Sequence, residues 1–185
     1  MTGYELPTSL SIGGVDFSIR TDFRAILDIL IACNDPELDD YEKTEVMLDI
    51  LYEDVESIPP DMLEEACKKA CEFIDCGNKE DSAKNIKLID WEQDAGIIMP
   101  AVNSVAHMEI RALEYLHWWS FMGFFMGIGE SLLSNVISIR EKKAKHKKLE
   151  PYEKDFYKEN KAIIDFRINL SEEEQKIKDS LNKWL

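Results

Sequence analysis

Asp90 and Asp94 stand one helical turn apart in the run DWEQD, and two carboxylates at that spacing can hold a divalent cation. The same pair serves equally well in the first turn of a helix, where negative charge offsets the macrodipole. A metal-dependent hydrolase would need a third ligand such as His117, and no complete ligand set is visible. Cys67 and Cys71 lie four apart and share a helix face, but no histidine or second CxxC pair stands nearby to complete a tetrahedral site. Small cysteines at this spacing read as core. The histidines His107, His117 and His146 lack zinc-pair spacing, and nucleophile-elbow, P-loop and dinucleotide fingerprints are missing. His117 abuts Trp118 and Trp119, the place of a polar group satisfied within a core rather than of a catalyst. Lys142, Lys143, Lys145, His146, Lys147 and Lys148 form a basic island that can meet a phosphate backbone, an acidic partner or the chain's own negative helices, or complement a helix C-terminus. The expectation is a protein that works by contact, with no enzymatic activity, no cofactor and no metal.

The elements that must position these residues begin with alternation. Leu10, Ile12, Val15, Phe17 and Ile19 flank Gly13-Gly14, which predicts a β-hairpin over residues 8–20 with a two-residue turn. Residues 22–76 read as three front helices. The first is capped by Thr21 and carries Phe23, Ile26, Leu27, Leu30 and Ile31; the second runs from 39 to 55 with Met47, Ile50, Leu51 and Val55 inward and an acidic outer face. After the Pro59-Pro60 break, the third carries Leu63, Ala66, Cys67, Ala70, Cys71 and Ile74 and stops before Gly77. Residues 77–84 are a polar loop and the expected hinge. Residues 90–141 supply the core helices. The first starts at DWEQD and is disturbed by Gly96 and Pro100. Residues 112–133 are apolar on every side, which predicts a buried central helix, and Gly123 and Gly127 admit a close neighbour. A final core helix turns Leu133, Val136, Ile137 and Ile139 inward. Residues 142–185 are a charged helical tail with few anchors: Phe156, Tyr157, Ile163, Ile164, Ile177, Leu181 and Trp184, plus a Ser171–Glu174 capping box.

One mainly α domain with a minor N-terminal β-hairpin is the resulting fold class. Its 185 residues suffice for one core, and a hydrophobic fraction of 45% excludes wholesale disorder. Thirty-seven acidic against 22 basic residues give a net charge of -15, which disfavours nucleic acid and anionic membranes as partners. The longest apolar run, 121–129, is far below the roughly 18 residues a membrane span requires. A polar start and four cysteines without a disulfide framework point to the cytoplasm.

Three stretches carry a resemblance: GVDFSIRTDFR at 14–24, DWEQD at 90–94, and LHWWSFMGFFMGI at 116–128 followed by VISIR at 136–140. Together they resemble a small, mostly helical bacteriophage family of long-tailed phages and prophages of Gram-positive bacteria, encoded between the major tail protein and the tape-measure protein. Asp22, Phe23, Arg24, Asp90, Asp94, His117, Trp118, Trp119, Phe121 and Arg140 are the motif residues. The resemblance implies a tail-assembly chaperone that binds the helical tape-measure protein in the host cytoplasm and is absent from the mature virion. The alternative is a structural tail subunit retained in the particle. It implies no active site.

Overall fold

A computed structural model describes residues 5–77, 86–167 and 180. The fold is mainly helical, opened by a two-stranded antiparallel sheet of β1 (Ser9–Ile12) and β2 (Val15–Ser18). Gly13 and Gly14 both have positive φ (57° and 82°), the requirement of the two-residue turn joining Ile12 to Val15. Leu10 and Ile12 are fully buried, so the hairpin closes one side of the core instead of standing alone in water.

Helix α1 (Phe23–Ala32) buries Phe23, Ile26 and Ile29. Its cap is Asp22, not the expected Thr21, because the Asp22 carboxylate accepts the Arg24 backbone N–H at 3.0 Å. Thr21 instead hydrogen-bonds the Tyr115 hydroxyl at 2.7 Å. Helix α2 (Asp40–Leu51) starts in a capping box between Asp39 and Glu42 and leaves Glu42, Glu45 and Asp49 exposed, the acidic face read from the sequence. It ends four residues before the expected Val55, because Tyr52 turns extended, bridges to Ile19 and donates its hydroxyl to Ala66 O at 2.9 Å. Helix α3 (Leu63–Ile74) follows the proline break and buries Ala66, Ala70 and Phe73. Cys71 is exposed and Ile74 half-buried; the aromatic Phe73 takes the inward position expected for them.

Helix α4 (Ala95–Ala106) begins after DWEQD, which forms a turn, and continues through the exposed Pro100. The expected helix over 112–133 is cut down to α5 (Trp118–Met126). His117 caps it by accepting the Trp119 N–H on Nδ1 at 3.0 Å; residues 113–117 are non-helical, and 116–118 pair with α1's entry. Only Trp118 and Phe121 of α5 are fully buried, and Met126 is 73% exposed. Gly127 approaches α4 closely, since a Cβ there would meet Val105 Cγ1 at 3.2 Å, but Gly123 faces open space.

Helix α6 (Leu132–Ala144) buries Leu133, Val136, Ile139 and Arg140. Helices α7 (Pro151–Glu159) and α8 (Lys161–Ile164) return onto it, with Ile164 beside Val136 and Ile139 in a second small core. Residues 78–84 of the expected 77–84 hinge and the tail features Ser171, Glu174, Ile177, Leu181 and Trp184 lie outside the described residues. No helix among the described residues is long and apolar enough to cross a membrane.

Candidate functional site

The ten motif residues gather at two places. At the first, residues 21–23 and 116–118 pair antiparallel: Phe23 N–H donates to Leu116 O at 2.9 Å and Trp118 N–H to Thr21 O at 2.7 Å. The N-termini of α1 and α5 are thereby held side by side, each with its own cap. Asp22 also accepts the Leu116 N–H at 3.0 Å and the Arg24 guanidinium at 3.0 Å, and Arg24 reaches on to Leu113 O at 2.7 Å. Because His117 Nδ1 accepts from Trp119, Nε2 carries the proton and donates to Pro7 O at 3.0 Å. Phe23 stacks on Phe121 with centroids 5.0 Å apart. The two indoles point at the end of α3: Trp118 Nε1 donates to Ile74 O at 2.8 Å and Trp119 Nε1 to Phe73 O at 2.9 Å. Carbonyls in the last turn of a helix lack intrahelical donors: Trp118 supplies one to Ile74 O while burying its ring, and Trp119 adds a second donor to Phe73 O, which also accepts the Cys76 N–H at 3.0 Å.

The second place is built on Arg140, whose side chain is 3% exposed against 0% for its partner Asp94. Its guanidinium donates to Asp94 at 2.5 and 2.9 Å, to Leu88 O at 3.0 Å, to Ile163 O at 2.8 Å and, through Nε, to Ile164 O at 2.7 Å. Every N–H of the side chain is therefore used. Phe166 covers the cation face at 4.0 Å. Asp94 also accepts the Asp90 N–H at 2.9 Å; Asp90 caps the turn by accepting from Gln93 N at 2.9 Å and pairs with Lys87 at 2.9 Å. Burial pushes the Asp90 carboxyl up, but the Gln93 hydrogen bond and Lys87 outweigh it and leave the group below the ordinary aspartate range. Gln93 grips the tail, donating to Asp165 O at 3.0 Å and accepting from Arg167 N at 2.8 Å.

Asp90, Asp94 and His117 are thus committed to caps, a turn and an ion pair. No group of three or more His, Cys, Asp or Glu residues among those described can hold a metal ion. Cys67 is half-buried, and burial raises its thiol pKa, as it does that of Cys71. In the basic island, Lys142 pairs with Glu153 at 2.5 Å, Lys143 with Asp165 and Tyr157, and Lys145 with Glu141. These lysines meet the chain's own acids, one of the alternatives left open by the sequence.

A family model described as Bacteriophage Gp15 protein matches residues 4–166. This chain belongs to the Bacteriophage Gp15 protein family. The match takes in both constellations and stops at Phe166, the residue that covers Arg140. Comparison with curated proteins and with solved structures found no match.

In this Gp15 family member the motif residues are the frame, and the surface they frame is apolar. Trp91 joins the two constellations, meeting Trp118 edge-on at 6.1 Å and Phe125 at 5.3 Å. It lines an open, mainly apolar groove of about 290 Å³ with Leu30, Ile74, Trp118, Met122 and Met126, to which Cys76 and the acidic Asp75 also contribute. The Cys76 thiol is pushed up to about 11, first by burial and then by the Asp75 carboxylate, so it stays protonated and behaves as part of the apolar lining. Sequence reasoning missed this groove by treating residues 112–133 as one buried helix. Part of the signal was present in Gly127 and Gly129, which follow the last helical residue and leave the methionine end of the helix at the surface.

Proposed function

We propose that this phage protein is a non-catalytic tail-assembly chaperone that holds a helical segment of the tape-measure protein during tail morphogenesis. The observation that carries the reading is the groove beside Trp91. Its aromatic lining is held by the Trp118 indole hydrogen bond to Ile74 O, and Met122 and the exposed Met126 complete it. Methionine's unbranched thioether adapts to varied apolar surfaces, and an amphipathic helix laid in a groove is a recurring way to use one. The acidic face of α2 and a net charge of -15 favour keeping such a complex in solution. Family membership supplies the phage context, and the resemblance supplies the tape measure as partner, the host cytoplasm as the place of action and release before virion maturation.

Co-expression with the neighbouring tape-measure protein, followed by size-exclusion chromatography of the soluble fraction, tests this. A complex that survives in the wild type and is lost in Met126→Glu supports the reading. Absence of a complex, together with detection of the protein in purified particles by mass spectrometry, transfers the assignment to a structural tail subunit.

A further inference from the structure

The hairpin carries a second, chemically different surface. Ile19 N–H donates to Thr8 O at 3.0 Å, so by the period of an antiparallel ladder Val15, Phe17 and Ile19 bond to β1 while Asp16 and Ser18 turn their backbone groups outward. Part of that outer edge is already paired: Glu53 N–H donates to Ser18 O at 3.1 Å and Arg20 N–H to Leu51 O at 2.7 Å. Residues 51–53 thus act as the start of a third strand. At Asp54 (φ -139°, ψ 77°) the chain turns away into the 3-10 turn Val55–Ser57, and the strand is not continued. The Asp16 N–H and C=O and the Ser18 N–H are left without a partner among the described residues. In the vacated place lies a groove of about 580 Å³, with Val15, Phe17 and Met62 among its apolar lining and the exposed acids Asp16, Glu53 and Asp54 around it. It adjoins Met62 at the start of α3, whereas the aromatic groove lies at Ile74; the 12 residues of α3 separate them by about 18 Å.

We propose that this edge accepts an extended segment of a partner protein in which lysine or arginine alternates with β-branched residues, added to β2 as the missing third strand. Main-chain bonds to the Asp16 N–H and C=O and to the Ser18 N–H supply the register, an apolar side chain enters beside Phe17, and cationic side chains meet the three carboxylates. The charge selects the occupant. Two copies of this chain paired edge to edge would set their acids against each other, and like charges across a ladder are destabilising. A cationic strand is instead drawn in by the groove and by the net charge of the whole molecule.

The probe is an acetylated octapeptide of alternating lysine and valine, fluorescently labelled and titrated into the full-length protein by anisotropy, with amide exchange read in parallel. Binding that weakens with added salt, slows exchange at Asp16 and Ser18, and falls at least about tenfold (about 1.4 kcal/mol) in Asp16→Lys is the expected result. N-methylation of the alternate peptide amides that face β2 must cost as much, since it removes the ladder and keeps the charge. Equal binding of the methylated peptide, or unchanged exchange at Asp16 and Ser18, overturns the proposal in favour of diffuse electrostatic attraction. Sedimentation showing a dimer dissolved by Asp16→Lys overturns it in favour of a second copy. Met126→Glu must leave peptide binding unaltered, which keeps this test separate from that of the chaperone reading.

Discussion

The two polar constellations do the same job by opposite physics. At the α1–α5 junction, Asp22 and His117 cap two helix starts through hydrogen bonds to backbone N–H groups, and Asp22 and Arg24 remain partly exposed, with side chains 24% and 40% accessible. Water competes for the bonds of Asp22 and Arg24, so each contributes modestly, whereas the His117 cap is buried. At the α4–α6 junction, Asp94 and Arg140 are removed from water altogether. There the desolvation cost is met only because every guanidinium N–H has an acceptor. The first arrangement tolerates partial loss; the second is all or nothing.

Breaking the buried pair should therefore have the largest effect. Arg140→Ala leaves the Asp94 carboxylate uncompensated and frees the carbonyls of Leu88, Ile163 and Ile164, and is expected to cost about 3–5 kcal/mol in urea unfolding. The double variant Asp94→Leu with Arg140→Met should recover much of this, because paired replacement removes both buried charges together. At the other junction, Asp22→Ala removes the α1 cap and the Leu116 bond and is expected to cost about 1–2 kcal/mol, less than Arg140→Ala in the same assay.

Acid sharpens the contrast between the α1–α5 frame and the tail docked on α6. Lys142, then the Glu150 backbone, hold the Glu153 carboxyl below the usual glutamate range. Burial pushes Asp165 up, but Lys143 and the Tyr157 hydroxyl outweigh it and leave Asp165 below the ordinary aspartate range. Groups lowered in the folded state contribute fully above their ordinary values of about 4, and that contribution is lost as pH falls through the lowered ones. Amide exchange in α7 and α8 should accelerate over that window before exchange in α1 and α5 does. The smallest expected effect on stability is that of Met126→Glu. An exposed helix-end substitution should change unfolding by no more than about 0.5 kcal/mol, measured in the same denaturant series, while abolishing partner capture.

Much of the frame was legible because it is local. The Gly13-Gly14 turn, the proline break before α3 and the apolar spacing of Phe23 and Ile26 are written within a few residues of where they act, although α1 fully buries Ile29 where the spacing pointed to Leu30 and Ile31. The motif residues were legible too, but their roles were not. Arg140 follows Leu133 and Val136 at core spacing, a sign that an arginine would be buried, yet nothing nearby names Asp94 as its partner.

By itself, then, the sequence determined a mainly helical protein with an N-terminal hairpin, an acidic exterior and a cluster of aromatics, since propensity, periodicity and charge act over one or two turns of chain. Tertiary structure alone decided that DWEQD serves as a clasp for the tail and that residues 116–118 pair with the entry to α1 where a continuous helix over 112–133 was expected. It alone decided that the Trp118 and Trp119 indoles bond the end of α3 and that the outer edge of β2 is only partly paired among the described residues. Each of these depends on which distant donor meets which acceptor, and buried polar groups must find partners wherever the packed chain happens to bring them.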